Sequence, residues 1–254
     1  MRLTLDTVER TLEVDDGGTP RRMELYSREA FELLSHEWVR VGWNQQYSYT
    51  FSWMGRPIIQ LPEDLVRVQE VVWAVRPDVI VETGVAHGGS LVYFATLCKA
   101  MGSGRVVGVD IQIRPHNREA IESHPLASYI TLIEGSSTDE SVLGQVRAQI
   151  RPGEKVLVIL DSDHSKRHVA DELEAYAPMV TQGSYLVATD GVMKDLHDVP
   201  RGQPGWKDDN PTAAAAEFAQ RHPEFVLGQP EWPFNESDLR ENITHWPGAW
   251  LRRT

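Results

Sequence analysis

The chain has 254 residues, with 25 lysines and arginines against 37 aspartates and glutamates, a net charge of −12 with histidines neutral. A hydrophobic share of 41% and a charged share of 24% suit a globule with a real core and exclude disorder as the main state. The acidic balance argues against a nucleic-acid partner, which needs a basic face.

At this length one domain with appendages is expected. The longest clean apolar stretches are short, such as Val156-Leu157-Val158-Ile159-Leu160, so no membrane partner is expected. The start, Met1-Arg2-Leu3-Thr4-Leu5-Asp6, lacks the apolar run of a signal peptide. The single cysteine, Cys98, excludes an intrachain disulfide and a Cys-rich zinc site; its apolar neighbours predict a core position. The reading is a cytoplasmic protein.

Residues 1–22 are polar and broken by Asp15-Asp16-Gly17-Gly18 and Pro20, which predicts a loosely held arm. From Ser27 to about Val41, Ala30, Phe31, Leu34, Trp38 and Val41 recur at helical spacing. Tyr47-Ser48-Tyr49-Thr50-Phe51-Ser52-Trp53 alternates aromatic and hydroxyl side chains. Period two predicts an extended segment with four aromatics on one face, a sugar platform or a packing arm. A helix is expected over Glu63–Val75, stopped by Pro77.

From residue 78 the pattern alternates. Apolar runs at Val79–Val81, Val106–Val109, Ile130–Ile133, Val156–Leu160 and Tyr185–Ala188 read as buried strands. Helices are expected at Ser90–Met101, around His116–His124, at Glu140–Ile150 and at Lys166–Val180. This predicts an α/β fold with a parallel sheet covered on both faces. Pro200 to Pro211 forms a long loop, followed by a helix capped by Asn210 with Pro211 in its first turn.

The chemistry-bearing residues fall at strand ends, where open α/β sheets bind ligands. Glu82-Thr83-Gly84-Val85-Ala86-His87-Gly88-Gly89-Ser90 runs from a strand through small residues into a helix start, which suits close approach to a polar ligand. Asp110 ends the second strand, as an acceptor for ribose hydroxyls requires. Ser136 and Ser137 follow the third. Asp161 and Asp190 end the fourth and fifth and could share an oxygen-ligated Mg²⁺. Asp163 has a second reading as a helix cap.

Taken together, Glu82–Ser90, Gly108-Val109-Asp110, Glu134-Gly135-Ser136-Ser137 and Leu160-Asp161-Ser162-Asp163-His164-Ser165 resemble the cephalosporin hydroxylase family from about Ser27 onward. That family is similar to class I S-adenosylmethionine-dependent methyltransferases and includes rhamnosyl O-methyltransferase-like members. The resemblance implies a Rossmann-like, mostly parallel sheet in residues 63–254, with residues 1–62 as an N-terminal helical and extended arm for oligomerisation or lid closure. It implies that Glu82, Gly84, Ala86, His87, Gly88 and Ser90 hold the methionine part of the cofactor, that Asp110 binds ribose, and that Ser136 and Ser137 border adenine. Asp161 would ligate a metal or sit beside the sulfonium, with His164 near the transfer point. Metal-using members carry Glu-Asp after the fifth strand; here the pair is Thr189-Asp190, which removes one carboxylate ligand and weakens an Mg²⁺ site.

The expected reaction is methyl transfer to a sugar or aminosugar of a secondary metabolite, as in antibiotic biosynthesis. Thr189 and the net negative charge lean toward N-methylation of a cationic, aminoglycoside-like acceptor, attracted by Asp161, Asp163, Asp190 and Asp195. Metal-dependent sugar O-methylation is the alternative. Catalytic candidates are His164, Asp161 and Asp190, with His197 as a second base. An NAD-dependent oxidoreductase would share the sheet but needs Gly-x-Gly-x-x-Gly, which residues 84–89 lack. A homo-oligomer, such as a dimer through the N-terminal helix, is expected.

Overall fold

The five apolar runs between residues 79 and 188 lie side by side in one sheet. The computed structural model describes residues 1–254. In chain order its elements are β1 (Arg2–Asp6), β2 (Thr11–Asp15), β3 (Arg21–Glu24), α1 (Arg28–Asn44), β4 (Phe51–Trp53), β5 (Arg56–Ile58) and α2 (Pro62–Val75). Then come β6 (Val79–Thr83), α3 (Gly89–Met101), β7 (Arg105–Asp110), α4 (Pro115–Glu122), β8 (Ile130–Glu134), α5 (Glu140–Ala148), β9 (Val156–Leu160) and α6 (Lys166–Tyr176). The chain ends with β10 (Tyr185–Ala188), α7 (Pro211–Arg221), β11 (Phe225–Leu227) and β12 (Trp250–Arg253).

The main sheet has seven strands in the order β11-β12-β10-β9-β6-β7-β8. β8, β7, β6, β9 and β10 run parallel, and β12 is antiparallel to both of its neighbours. Every residue of β6 and β9 is buried, which explains why Val79–Val81 and Val156–Leu160 read as apolar runs. Side chains alternate between faces: Val79 and Val81 join a core with Leu143, Leu173 and Phe218 of α5, α6 and α7. Ile80 joins the opposite core, with Val72, Leu91 and Ile121 of α2, α3 and α4.

The chain lays β6, β7 and β8 outward in one direction, then returns to place β9 on the other side of β6. The connections therefore diverge above the ends of β6 and β9, leaving a crevice there. Helix starts follow the expected capping chemistry: Ser27, Asp139, Ser165 and Asn210 each accept a backbone N–H from the first turn. No helix is long and apolar enough to cross a membrane.

Residues 1–22 depart from the loose arm expected. β1, β2 and β3 form an antiparallel sheet that buries Leu12 and Val14 against Ala30 of α1. Charged residues outnumber apolar ones there, and they mask the alternation that pairs these strands. Asp15-Asp16-Gly17-Gly18 is the turn between β2 and β3, its N–H groups bound by Asp15 and Asp16. The aromatic strip also departs from expectation. Tyr47–Thr50 is a single 3₁₀ turn and only Phe51–Trp53 is extended. Tyr47 packs edge-on against Trp38 and Phe51, and Trp53 packs against Tyr93. Tyr49 stays 60% exposed and turns toward the crevice, so the four rings do not share a face.

The buried Asp64 in the first turn of α2 fastens the C-terminal segment, accepting hydrogen bonds from Thr244 Oγ1 and the His245 N–H. Burial is the main cause that pushes its carboxyl up to about 7 from an ordinary 3.8. The folded chain thus keeps a proton that the unfolded chain releases near pH 4, so the raised group supports the fold in acid. That support is lost as pH rises through about 7. Urea unfolding between pH 5 and 8 should show the parent losing roughly 2 kcal/mol more than Asp64→Asn; parallel curves would contradict a raised Asp64.

Candidate active site

The crevice is built around a pinch between β6 and β9. Gly84 follows β6 with φ +90°, and a Cβ there would lie 1.9 Å from the Asp161 carbonyl oxygen. Only glycine permits this contact. The Gly84 N–H donates to Val109 O (2.7 Å) and the Asp161 N–H to Thr83 O (2.9 Å), so the ends of three strands are tied together.

The loop that follows is held from both sides. Asp110 Oδ2 accepts the N–H groups of Val85 (2.8 Å) and Ala86 (3.3 Å). Ala86 has φ +44°, a costly conformation for a residue with a side chain. Its carbonyl accepts from Asn117 Nδ2 at 2.8 Å. Arg56 donates from Nε to His87 O (2.9 Å) and from Nη2 to Asn117 Oδ1 (3.0 Å). Arg56 and Asn117 were not legible as site residues, because they grip backbone carbonyls rather than face the crevice.

Two adjoining cavities share Gly84, Ala86, Asp161 and Ser162. The first, of about 490 Å³, is also lined by Asp110, Ile111, Ser136, Ser137, Asp163 and His168. The second, of about 200 Å³, is also lined by Tyr49, Gln60, His87, Ser90, His164 and Asp190. Most of the expected site residues therefore line these two adjoining cavities. Two do not. Glu82 is buried beneath them and accepts from Ser90 Oγ at 2.7 Å, and Gly88 caps α3.

Burial dominates the electrostatics of the acids in the second cavity. Burial, opposed by His164 and reinforced by Asp161, pushes Asp190 up to about 6. Burial also raises Asp161, and burial with the Asp161 charge raises Glu82 well above the carboxylate range. Burial first, then Asp190 and Asp161, raises the Tyr49 phenol. Asp161 accepts from Thr189 Oγ1 on one oxygen and from Gln60 Nε2 (3.1 Å) on the other. Asp190 Oδ2 lies 3.4 Å from His164 Nε2. One ligand atom each from Asp161, His164 and Asp190 falls within 4.8 Å of the others.

Other expectations are corrected. His197 lines neither cavity; its Nδ1 sits 3.0 Å from Lys194 O, because the 3₁₀ turn after Asp190 carries the chain away from the crevice. Asp195 leaves with it and pairs with Lys194 at 3.1 Å. Asp163 both lines the first cavity and accepts the Ser165 N–H at 2.8 Å. Cys98 is buried, and burial pushes its thiol up to about 11, as suits a core residue.

The fold and the family match are those of an S-adenosylmethionine-dependent methyltransferase. Residues 45–254 match the family described as Rhamnosyl O-methyltransferase/CmcI, and the chain belongs to it. The Rhamnosyl O-methyltransferase of Mycobacterium leprae is 31% identical over 171 residues, covering 65% of this chain and 70% of that protein. The protein of the same name from Mycobacterium bovis is 30% identical over 158 residues, 61% of this chain and 62% of its own length. Among solved structures, apo CmcI superposes with a TM-score of 0.53 at 20% identity, over 81% of this chain and 76% of that one. MycE methyltransferase from the mycinamycin biosynthetic pathway, in complex with Mg and SAH, gives 0.50 at 16% identity, over 94% and 67%. The last two likenesses concern the fold.

Asn117→Ala frees Ala86 from its left-handed conformation and removes a buried hydrogen bond. Calorimetry with S-adenosylhomocysteine should show roughly tenfold weaker binding. Unchanged affinity would mean the grip on Ala86 is irrelevant to the cavity.

Proposed function

We propose that the chain moves the methyl group of S-adenosylmethionine to a sugar hydroxyl of a glycosylated secondary metabolite, with His164 as the base. The observation that carries this reading is the His164–Asp190 pair in the smaller cavity, which joins the larger one at Asp161. The name shared by the mycobacterial relatives supports oxygen rather than nitrogen as the acceptor atom.

The larger cavity suits a nucleoside. Asp110 offers a carboxylate to ribose hydroxyls, Ser136 and Ser137 border the base, and the bare Gly84 lets a ligand lie against the backbone. His87, Ser90 and the first N–H groups of α3 suit the methionine end, where a helix start favours a carboxylate. Glu82 acts from below by fixing Ser90.

S-adenosylmethionine supplies an electrophilic methyl carbon on a sulfonium. The chain aligns the acceptor and takes its proton. His164 Nε2 faces Asp190, and Nδ1 makes no hydrogen bond within the protein, so Nδ1 accepts the hydroxyl proton. Asp190 then stabilises the imidazolium. Asp161 borders the junction of the two cavities, where its carboxylate attracts the sulfonium.

Asp161 and Asp190 would hold a divalent cation in the same corner, which would supply Lewis-acid polarisation of the acceptor oxygen. Thr189 and Gln60 hold Asp161 in place by hydrogen bonds. Residues 1–62 are proposed as an arm over the site, since Tyr49 and Gln60 line the smaller cavity. Exposed Phe31, Trp38 and Val41 on α1 support contact with a second copy of the chain.

A second reading, N-methylation of an aminosugar, is favoured by two acids in one small cavity and by the missing carboxylate at Thr189. A transfer assay on rhamnosylated and aminosugar acceptors, with and without EDTA, separates the two. The hydroxyl reading predicts turnover of neutral sugars, impaired by EDTA. It also predicts that His164→Ala lowers kcat by about 10²–10⁴-fold with S-adenosylhomocysteine affinity little changed. EDTA-resistant turnover confined to aminosugars, or full activity of His164→Ala, would overturn it.

A further inference from the structure

α6 carries a polar cluster that the transfer chemistry leaves unused. Glu172 is fully buried, and its Oε2 has no hydrogen-bond partner. Its Oε1 accepts from Ser162 Oγ at 2.7 Å and lies 3.4 Å from His168 Nε2, one helical turn away. His168 Nε2 is also 3.2 Å from Ser162 Oγ and 3.3 Å from Ser137 Oγ. Ser137 follows β8 and Ser162 follows β9, so one imidazole ties together two loops that wall the larger cavity.

A buried carboxyl group with an unpaired oxygen is expensive unless a cation answers it, and the group beside Glu172 that can become one is the His168 imidazole. The charges that act on His168 most strongly are acidic, Glu172 and Asp171 on α6 and Asp163 before it, and Asp110 and Asp161 line the same cavity; Lys166 and Arg167 precede it on α6. No lysine or arginine lines that space. The hydrogen bond to Glu172, more than any other cause, raises His168 above its ordinary 6.5. With Nε2 turned inward, Nδ1 has no partner within the protein, while the ring lines the cavity and keeps 29% of its side chain exposed. Adenine offers ring nitrogens as acceptors and no ring N–H once it is attached to ribose.

We propose that His168 is a specificity-determining residue for the cofactor, donating through Nδ1 to an acceptor ring nitrogen of the adenine, and that Glu172 is its positioning residue. This rests on the nucleoside reading of the larger cavity. Because a charged donor binds the base, nucleoside affinity depends on pH. Binding is strongest while His168 is protonated and weakens as pH rises through its raised value.

Calorimetric titration of the full chain with S-adenosylhomocysteine from pH 6 to 9 tests it. Parent affinity should fall about tenfold across the range, His168→Gln should be weaker and flat, and Glu172→Gln should move the fall to lower pH. Should Glu172→Gln not fold, His168→Gln, at a partly exposed position, carries the test alone. Parent affinity that ignores pH, or a His168→Gln variant with the parent's slope, would overturn the role of His168. Absence of any binding by the parent would instead remove the nucleoside reading on which it rests.

Discussion

The structure turns on the contact between the backbone of Gly84 and the carbonyl of Asp161. It draws the end of β6 against the end of β9 at the point where the sheet reverses its order. Everything that lines the crevice hangs from one of those two ends or from the strands beside them. The Val85–Ser90 loop rises from the β6 side and is clamped by Asp110, Asn117 and Arg56. Asp161, Ser162 and His164 descend from the β9 side. Any side chain at position 84 would drive the two apart and open the junction between the cavities.

That pinch concentrates negative charge. Glu82, Asp161 and Asp190 are crowded under little water; burial raises all three above their ordinary range, and the Asp161 charge adds to it at Glu82 and Asp190. Their arrangement is poorly satisfied without a cation. In the proposed function a sulfonium approaches Asp161, and the proton taken by His164 leaves an imidazolium beside Asp190. Both steps bring positive charge to a place already prepared for it, which is the form electrostatic catalysis takes in a confined site. The nucleoside end repeats the theme, with buried Glu172 answered by His168.

Much of the sheet could be read from the sequence because its strands are buried on both faces and so form unbroken apolar runs. Val156–Leu160 and Tyr185–Ala188 fall at the expected residues, and the acids and hydroxyls at the strand ends mark the crevice directly. β11 and β12 are not legible in the sequence: they are three and four residues long, antiparallel, β12 is half polar, and they pair across a loop of more than twenty residues. The 47–53 alternation misled because period two alone does not separate a strand from a 3₁₀ turn; Gln46, with φ +56°, starts the turn. Gln60, Arg56 and Asn117 carry no signal in the sequence, since each acts through hydrogen bonds formed by long-range folding. His168 and Glu172 did carry one, the i,i+4 spacing of opposite charges on a helix, but its burial became visible only in three dimensions.

A crystal structure of the chain with S-adenosylhomocysteine tests the central claim most directly. The account places the ribose on Asp110, the base between Ser137 and His168, and the sulfur at the junction bordered by Asp161. A nucleoside bound instead in the larger groove of about 790 Å³ between α2 and residues 232–243, or a ribose out of reach of Asp110, would contradict it.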